Sequence, residues 1–222
     1  MSEAGYLLKE SDLRALAIGA ALLGTGGGGS PYIGMLRTRE LLRQGASVRV
    51  LPLDALPDDA WISEVGGIGA PLVGNEKFEE GAECFRAMRA VEDATGIKFA
   101  ATISAEIGGS NAMEPIITAA QAGLPVIDGD GMGRAFPEVQ MSSFMIYGAP
   151  VCPAAIADEK GNVVVFKDVI DMYWLETFAR GVAVNMGAAA GLAVAPMRMD
   201  FVRKTAVPGT VTQTLTIGRA VL

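Results

Sequence analysis

Apolar positions recur at helical spacing near the start of the chain. Leu13, Ala15, Leu16, Ile18 and Leu22 form one stripe behind Ser11-Asp12, a polar pair suited to capping a helix. That helix stops in Gly24-Thr25-Gly26-Gly27-Gly28-Gly29, and Ser30-Pro31 restarts another, with serine as the cap and proline in the first turn. Gly45 ends it just after Gln44. Short apolar runs follow at 47–51 and 61–65, the second running out into Gly66-Gly67-Ile68-Gly69-Ala70-Pro71. Residues 77–94 return to helical period, with Phe78, Ala82, Phe85 and Met88 on one stripe. A strand at 98–103, a helix at 111–122 and a strand at 124–128 complete an alternation that predicts a parallel sheet covered by helices.

Beyond Met141 the pattern changes. Segments 151–157 and 163–167 flank the turn Asp158-Glu159-Lys160-Gly161-Asn162 as a hairpin, 171–187 is helical, and 191–196 is small and apolar. The tail from Thr210 to Leu222 reads as a helix broken off while still amphipathic, which predicts a fragment with more protein following. The expected fold class is α/β. An open, mostly parallel sheet with covering helices spans 1–140, and a hairpin and helical extension is added over 141–222.

Composition narrows the function. Half of the 222 residues are hydrophobic, enough for a substantial core. The formal charge is −7 and the 18 basic residues are spread thinly, so nucleic acid finds no electrostatic footprint. Uncharged stretches at 15–36, 139–157 and 181–197 are all interrupted by Gly, Pro or polar residues, and none makes a membrane span. The acidic, polar start is unlike a signal peptide, and two distant cysteines, Cys84 and Cys152, are no disulfide framework. A soluble, cytoplasmic protein is expected. Both thiols read as buried and inert, with a nucleophilic role for Cys152 as the alternative. There is no histidine, which removes Ser-His-Asp and Cys-His catalysis and imidazole-ligated zinc. Acid–base chemistry must rest on Asp, Glu, Lys, Tyr, Cys or bound water.

The 28 glycines are about twice the usual share and cluster at element ends. In the loop before the second helix, Gly27, Gly28 and Ser30 can present backbone amides to an anion or oxyanion, although a tight interhelical turn explains them equally. It is no P-loop and no dinucleotide fingerprint, because it follows a helix and lacks Gly-Lys-Ser/Thr. Segment 69–77 leaves a strand and opens the predicted helix, placing Glu76 and Lys77 at its start. The helix dipole explains Glu76 but not Lys77. Glu106, Gly109 and Asn111 occupy the same position after the next strand, where Asn111 serves either as a helix cap or as an oxyanion donor. The richest run, Asp128-Gly129-Asp130-Gly131-Met132-Gly133-Arg134-Ala135-Phe136-Pro137-Glu138, concentrates three carboxylates and one guanidinium at a strand end. Asp128 and Asp130 can activate water, or bind a divalent metal together with Glu138. The plainer alternative is an ion-paired loop in which Arg134 neutralises an aspartate.

These blocks, at 24–32, 69–77, 108–115, 122–138 and 187–196, together resemble the S-methyl thiohydantoin desulfurase family. The resemblance extends from about residue 10 to the end and implies the family's N-terminal domain, with a further C-terminal domain to follow. It also implies hydrolysis of a cyclic thio-imide or related hydantoin, and association with hydantoinase/oxoprolinase-type proteins. On that reading Asp128 or Asp130 acts as general base and Lys77 or Glu76 as acid. Asn111 and the glycine amides hold ring carbonyls, and Arg134 places a substrate carboxylate. Two rivals use the same residues: a ring or amide hydrolase with a divalent metal as cofactor, and a non-catalytic partner subunit of a hydantoinase/oxoprolinase complex. Apolar segments 139–157 and 181–196 fit a homo-oligomer interface or simple core burial.

Overall fold

The computed structural model describes residues 5–222. Among these residues ten strands form one mixed sheet: β1 (Tyr6–Leu7), β2 (Arg49–Leu51), β3 (Trp61–Gly69), β4 (Ala101–Ser104), β5 (Val126–Asp130), β6 (Ala154–Ala157), β7 (Val163–Phe166), β8 (Ala189–Ala193), β9 (Met197–Arg198) and β10 (Val207–Pro208). The order across the sheet is β1-β2-β5-β4-β3-β8-β6-β7, with β10 added beside β5 and β9 beside β3. The four central strands β2, β5, β4 and β3 are parallel, as the strand–helix alternation predicts. The flanking strands pair antiparallel. The fold class is α/β.

Among the described residues eight α-helices cover the sheet: α1 (Leu13–Gly24), α2 (Pro31–Arg43), α3 (Glu83–Thr95), α4 (Glu114–Ala122), α5 (Ser143–Ile146), α6 (Met172–Asn185), α7 (Met199–Thr205) and α8 (Thr210–Val221). On one face α1, α2, α4 and α8 bury Leu16, Ile116, Val126 and Leu215 together, and α3 continues the layer with Met88 and Val91. The opposite face packs α5 and α7 over Ile62, Ile103 and Ile127, and α6 over Ile156 and Leu192. Each fully buried Leu, Ile or Phe contributes about 1.5–3 kcal/mol, so alternating residues of one strand stabilise both layers. Helices α1 and α8 approach through two glycines. A Cβ at Gly19 would lie 2.0 Å from the Thr214 carbonyl oxygen, and one at Gly218 would lie 1.7 Å from that of Ala15.

Three departures from the sequence expectation shape the site. First, β3 runs four residues past Val65, because Gly66–Gly69 pairs in register with Leu192–Ala189 of β8. Backbone pairing needs no side chain, so a glycine run that reads as a loop becomes strand. Second, the small apolar stretch near 191–196 is a strand inside the sheet, between β3 and β6. Its smallness is a packing requirement, since a Cβ at Gly191 would meet the Cys84 backbone nitrogen at 2.4 Å. Third, α3 starts at Glu83, not at 77, because the Glu83 carboxylate turns back to accept from the Glu80 and Gly81 amides at 2.7 and 2.8 Å. Glu76 and Lys77 therefore stand in the connecting loop, after a 3-10 turn at Val73–Asn75, and not at a helix start. Among the described residues no helix is long and apolar enough to cross a membrane.

Candidate functional site

A cleft of about 530 Å³ opens at the C-terminal ends of β3 and β4, where ligands bind in open α/β sheets. One wall is the loop between α1 and α2, and the floor is Glu64–Gly69 of β3 with Glu106, Ser110 and Asn111 after β4. Arg134–Val139, Arg180 and the residues of β8 close the other side. Apolar groups such as Ile33, Ile68, Phe136, Leu192 and Val194 share the lining with several carboxyls.

The glycines hold this shape by letting loops touch backbone to backbone. Gly28 (φ 70°) and Gly109 (φ 67°) face each other, and a Cβ on Gly109 would lie 2.2 Å from the Gly28 oxygen. That oxygen accepts from the Ser110 amide and hydroxyl at 2.7 and 2.8 Å. Ala135 N–H donates to the Leu23 oxygen at 3.0 Å, joining the third loop to the same seam. Gly27, Gly28 and Ser30 line the cleft, whereas Gly109 lies in the seam outside the lining. Ser30 caps α2 by accepting from Tyr32 N–H.

At the floor, the Asn111 amide is used at both ends. Its oxygen accepts from Gly67 N–H at 2.6 Å, and its nitrogen donates to Glu106 Oε1 at 2.6 Å. The other Glu106 oxygen accepts from Phe136 N–H at 2.6 Å. Burial pushes the Glu106 carboxyl above its usual range, against the lowering effect of these two donors. Asn111 thus serves neither as a plain helix cap nor as a free oxyanion donor. It fixes the one carboxylate that the cleft holds by two hydrogen bonds.

The remaining predicted residues separate. Asp128 points to the N-terminus of α8, where its oxygens accept from the Val211 and Thr212 amides at 2.9 and 3.1 Å and from the Thr212 hydroxyl. Asp130 is fully buried, with Oδ2 accepting from the amides of Ile107, Met132 and Gly133 at 2.8, 3.2 and 2.8 Å. Burial raises it to about 6 against those three amides. Lys77 donates to the Met186 and Ala189 carbonyls, both at 2.6 Å, and pairs with Glu159, so it pins its loop to β8. Glu76 is exposed. None of these four lines the main cleft. Arg134 does, at the mouth, where it donates to Thr25 and stacks over Phe136 at 5.3 Å, with no aspartate paired to it among its contacts. Glu138 lines the cleft and accepts from Gln140. Asp128, Asp130 and Glu138 do not converge, and among the described residues no three His, Cys, Asp or Glu side chains are grouped to hold a metal ion. The donor set therefore does not fit the divalent cation. Cys84 is buried beside Glu114, and Cys152 lies outside the cleft lining.

Three lining carboxyls escaped the sequence reading: Glu64, Glu114, and Glu79, which accepts from Arg37. Glu64, in the middle of β3, is 1% exposed, and neither of its oxygens has a hydrogen-bond partner among the described residues. Burial and the nearby Asp130 charge push it up to about 8. Glu114, at the start of α4, is raised to about 7 by burial and by Glu79, with Arg37 opposing. A lone acid between Ile62 and Gly66 in an otherwise apolar strand was the available signal for Glu64. Glu114 reads as an ordinary first-turn acid and gives none.

Fold and cleft together define an α/β protein with a carboxyl-rich cleft at the parallel strand ends. Residues 11–168 match the S-Me-THD-like N-terminal domain and residues 170–222 the S-Me-THD-like C-terminal domain, so the chain belongs to the S-Me-THD-like family that the glycine and aspartate blocks resemble. The segment after 168, expected to extend the first domain, is thus matched to the second. A crystal structure of a protein from Chromobacterium violaceum is similar at 29% identity with a TM-score of 0.86, covering 97% of this chain and 61% of that one. The chain accordingly spans about three fifths of that protein's length. No curated protein matches the chain.

Proposed function

We propose that the chain carries the site of a hydrolase acting on a small hydantoin-like ring, such as an S-methyl thiohydantoin, with Glu106 as the acid–base group. The observation that carries this is the Gly67–Asn111–Glu106 arrangement on the cleft floor. A carboxylate with fixed orientation and a raised proton affinity suits general base work. The cleft volume suits a five-membered ring with substituents, and family membership supports the same substrate class.

In the reaction, Glu106 takes a proton from water as the water oxygen bonds to the ring carbon bearing sulfur and the ring C=N π pair moves to nitrogen. The C–S bond then breaks, its electron pair leaves with sulfur, and Glu106 returns its proton to the thiolate. The second proton of the water passes to a ring nitrogen, leaving hydantoin and methanethiol. Asn111 is a positioning residue for Glu106, and Arg134 at the mouth receives a carboxylate substituent. Asp130 braces the floor, since it holds the Ile107 amide next to Glu106.

The test is methanethiol release from an S-methyl thiohydantoin. Glu106→Gln lowers kcat about a hundredfold or more without loss of fold. Undiminished release by that variant, or full activity that vanishes with a chelator and returns with metal, rejects the assignment.

A further inference from the structure

The cleft's polar groups are mostly occupied by the protein itself. Glu106 and Asn111 bond each other and two backbone amides, Arg134 donates to Thr25, and Arg180 to Glu176 and the Pro137 carbonyl. Of the described residues lining it, only Glu64 has both side-chain oxygens buried and unpartnered. Ile68, Leu192 and Val194, which share the lining, are apolar and offer no hydrogen-bond partner. Buried polar groups without partners are rare, and at a ligand site the missing partner is characteristically the ligand.

We infer that the Glu64 carboxyl reads the lactam edge of the ring substrate, donating its O–H to a ring carbonyl oxygen and accepting from the adjacent ring N–H. This rests on the ring-hydrolase reading and adds to it the class of ring accepted. A carboxylic acid presents one donor beside one acceptor, and a lactam or ureide edge presents the reverse pair. A carboxylate would present two acceptors and select a cationic amidinium. The surroundings favour the acid form, because burial and the nearby Asp130 carboxylate both oppose a charge on Glu64 and outweigh the Ser142 hydroxyl, which favours one. The accepted class is therefore a neutral ring lactam.

Calorimetric titration of the chain with hydantoin and with 2-aminoimidazolinium tests this, for the wild type, Glu64→Gln and Glu64→Leu. Hydantoin binds the wild type more tightly than the amidinium does. Gln, which keeps a donor beside an acceptor, retains binding within about fivefold, and Leu weakens it by about tenfold or more. Equal hydantoin affinity in wild type and folded E64L, no hydantoin binding by the wild type, or preference for the amidinium overturns the inference. Should E64L fail to fold, the wild-type preference decides alone. The methanethiol assay separates the two readings. Turnover with binding indifferent to Glu64 removes this inference only, and Glu64-dependent binding without turnover removes the hydrolase reading only.

Discussion

Glu64 and Glu106 line the same cleft, yet their surroundings give them opposite characters. Glu106 has two N–H donors that favour its charge, while Glu64 has none and faces the charge of Asp130. An acid whose affinity for the proton is raised by folding contributes stability that is complete below the usual carboxylate range. That contribution is lost as pH rises through the folded value, here about 8 for Glu64 and about 6 for Asp130. Thermal denaturation across pH checks this. Glu64→Gln is expected to exceed the wild type at pH 9 by on the order of a few kcal/mol, with the gap closing by pH 5. Parallel profiles at every pH would show that Glu64 does not titrate as described. Glu106 and Asn111 were legible as site residues because they follow a strand end within a glycine turn. Glu64 carried only the weak signal of one acid within a largely apolar strand, and its lack of a partner shows only once the neighbouring strands are in place.

Among the elements, α8 shows how a motif can be real and its role different. The Asp-Gly-Asp run concentrates charge at the end of β5, but Asp128 caps α8 from outside the helix and Asp130 ties three loop amides. Asp128→Ala is therefore a stability variant, expected to cost about 1–2 kcal/mol in chemical denaturation, with turnover per folded molecule unchanged. A hundredfold fall in turnover at unchanged stability would restore Asp128 as the base. The caps and turns that sequence reveals best are local, such as Ser30 before α2. The start of α3 was missed because its cap is Glu83 folding back on two preceding amides, and helical periodicity at Phe78 and Ala82 concealed it.

Over the whole molecule, the two segments matched to separate family domains form one sheet and one set of layers. Strand β8 sits between β3 and β6, and α8 packs on α1 through Gly19 and Gly218. The parallel centre was legible from the alternation of strand and helix, but the place of β8 was not, since Ala189–Ala193, small but for Leu192, carries no register. A fragment ending at residue 168 lacks that strand, and exposes the glycine half of β3 as a sheet edge. Circular dichroism and gel filtration should find such a fragment aggregated or unfolded, and a monomeric, cooperatively melting 1–168 would contradict the interleaved architecture. The position of β8 also sets a timetable for birth on the ribosome. The glycine half of β3 leaves the exit tunnel long before the strand that will cover it has been translated. Throughout that interval the nascent chain carries an open, backbone-rich flank, so the cleft comes into being only as the last quarter of the chain arrives.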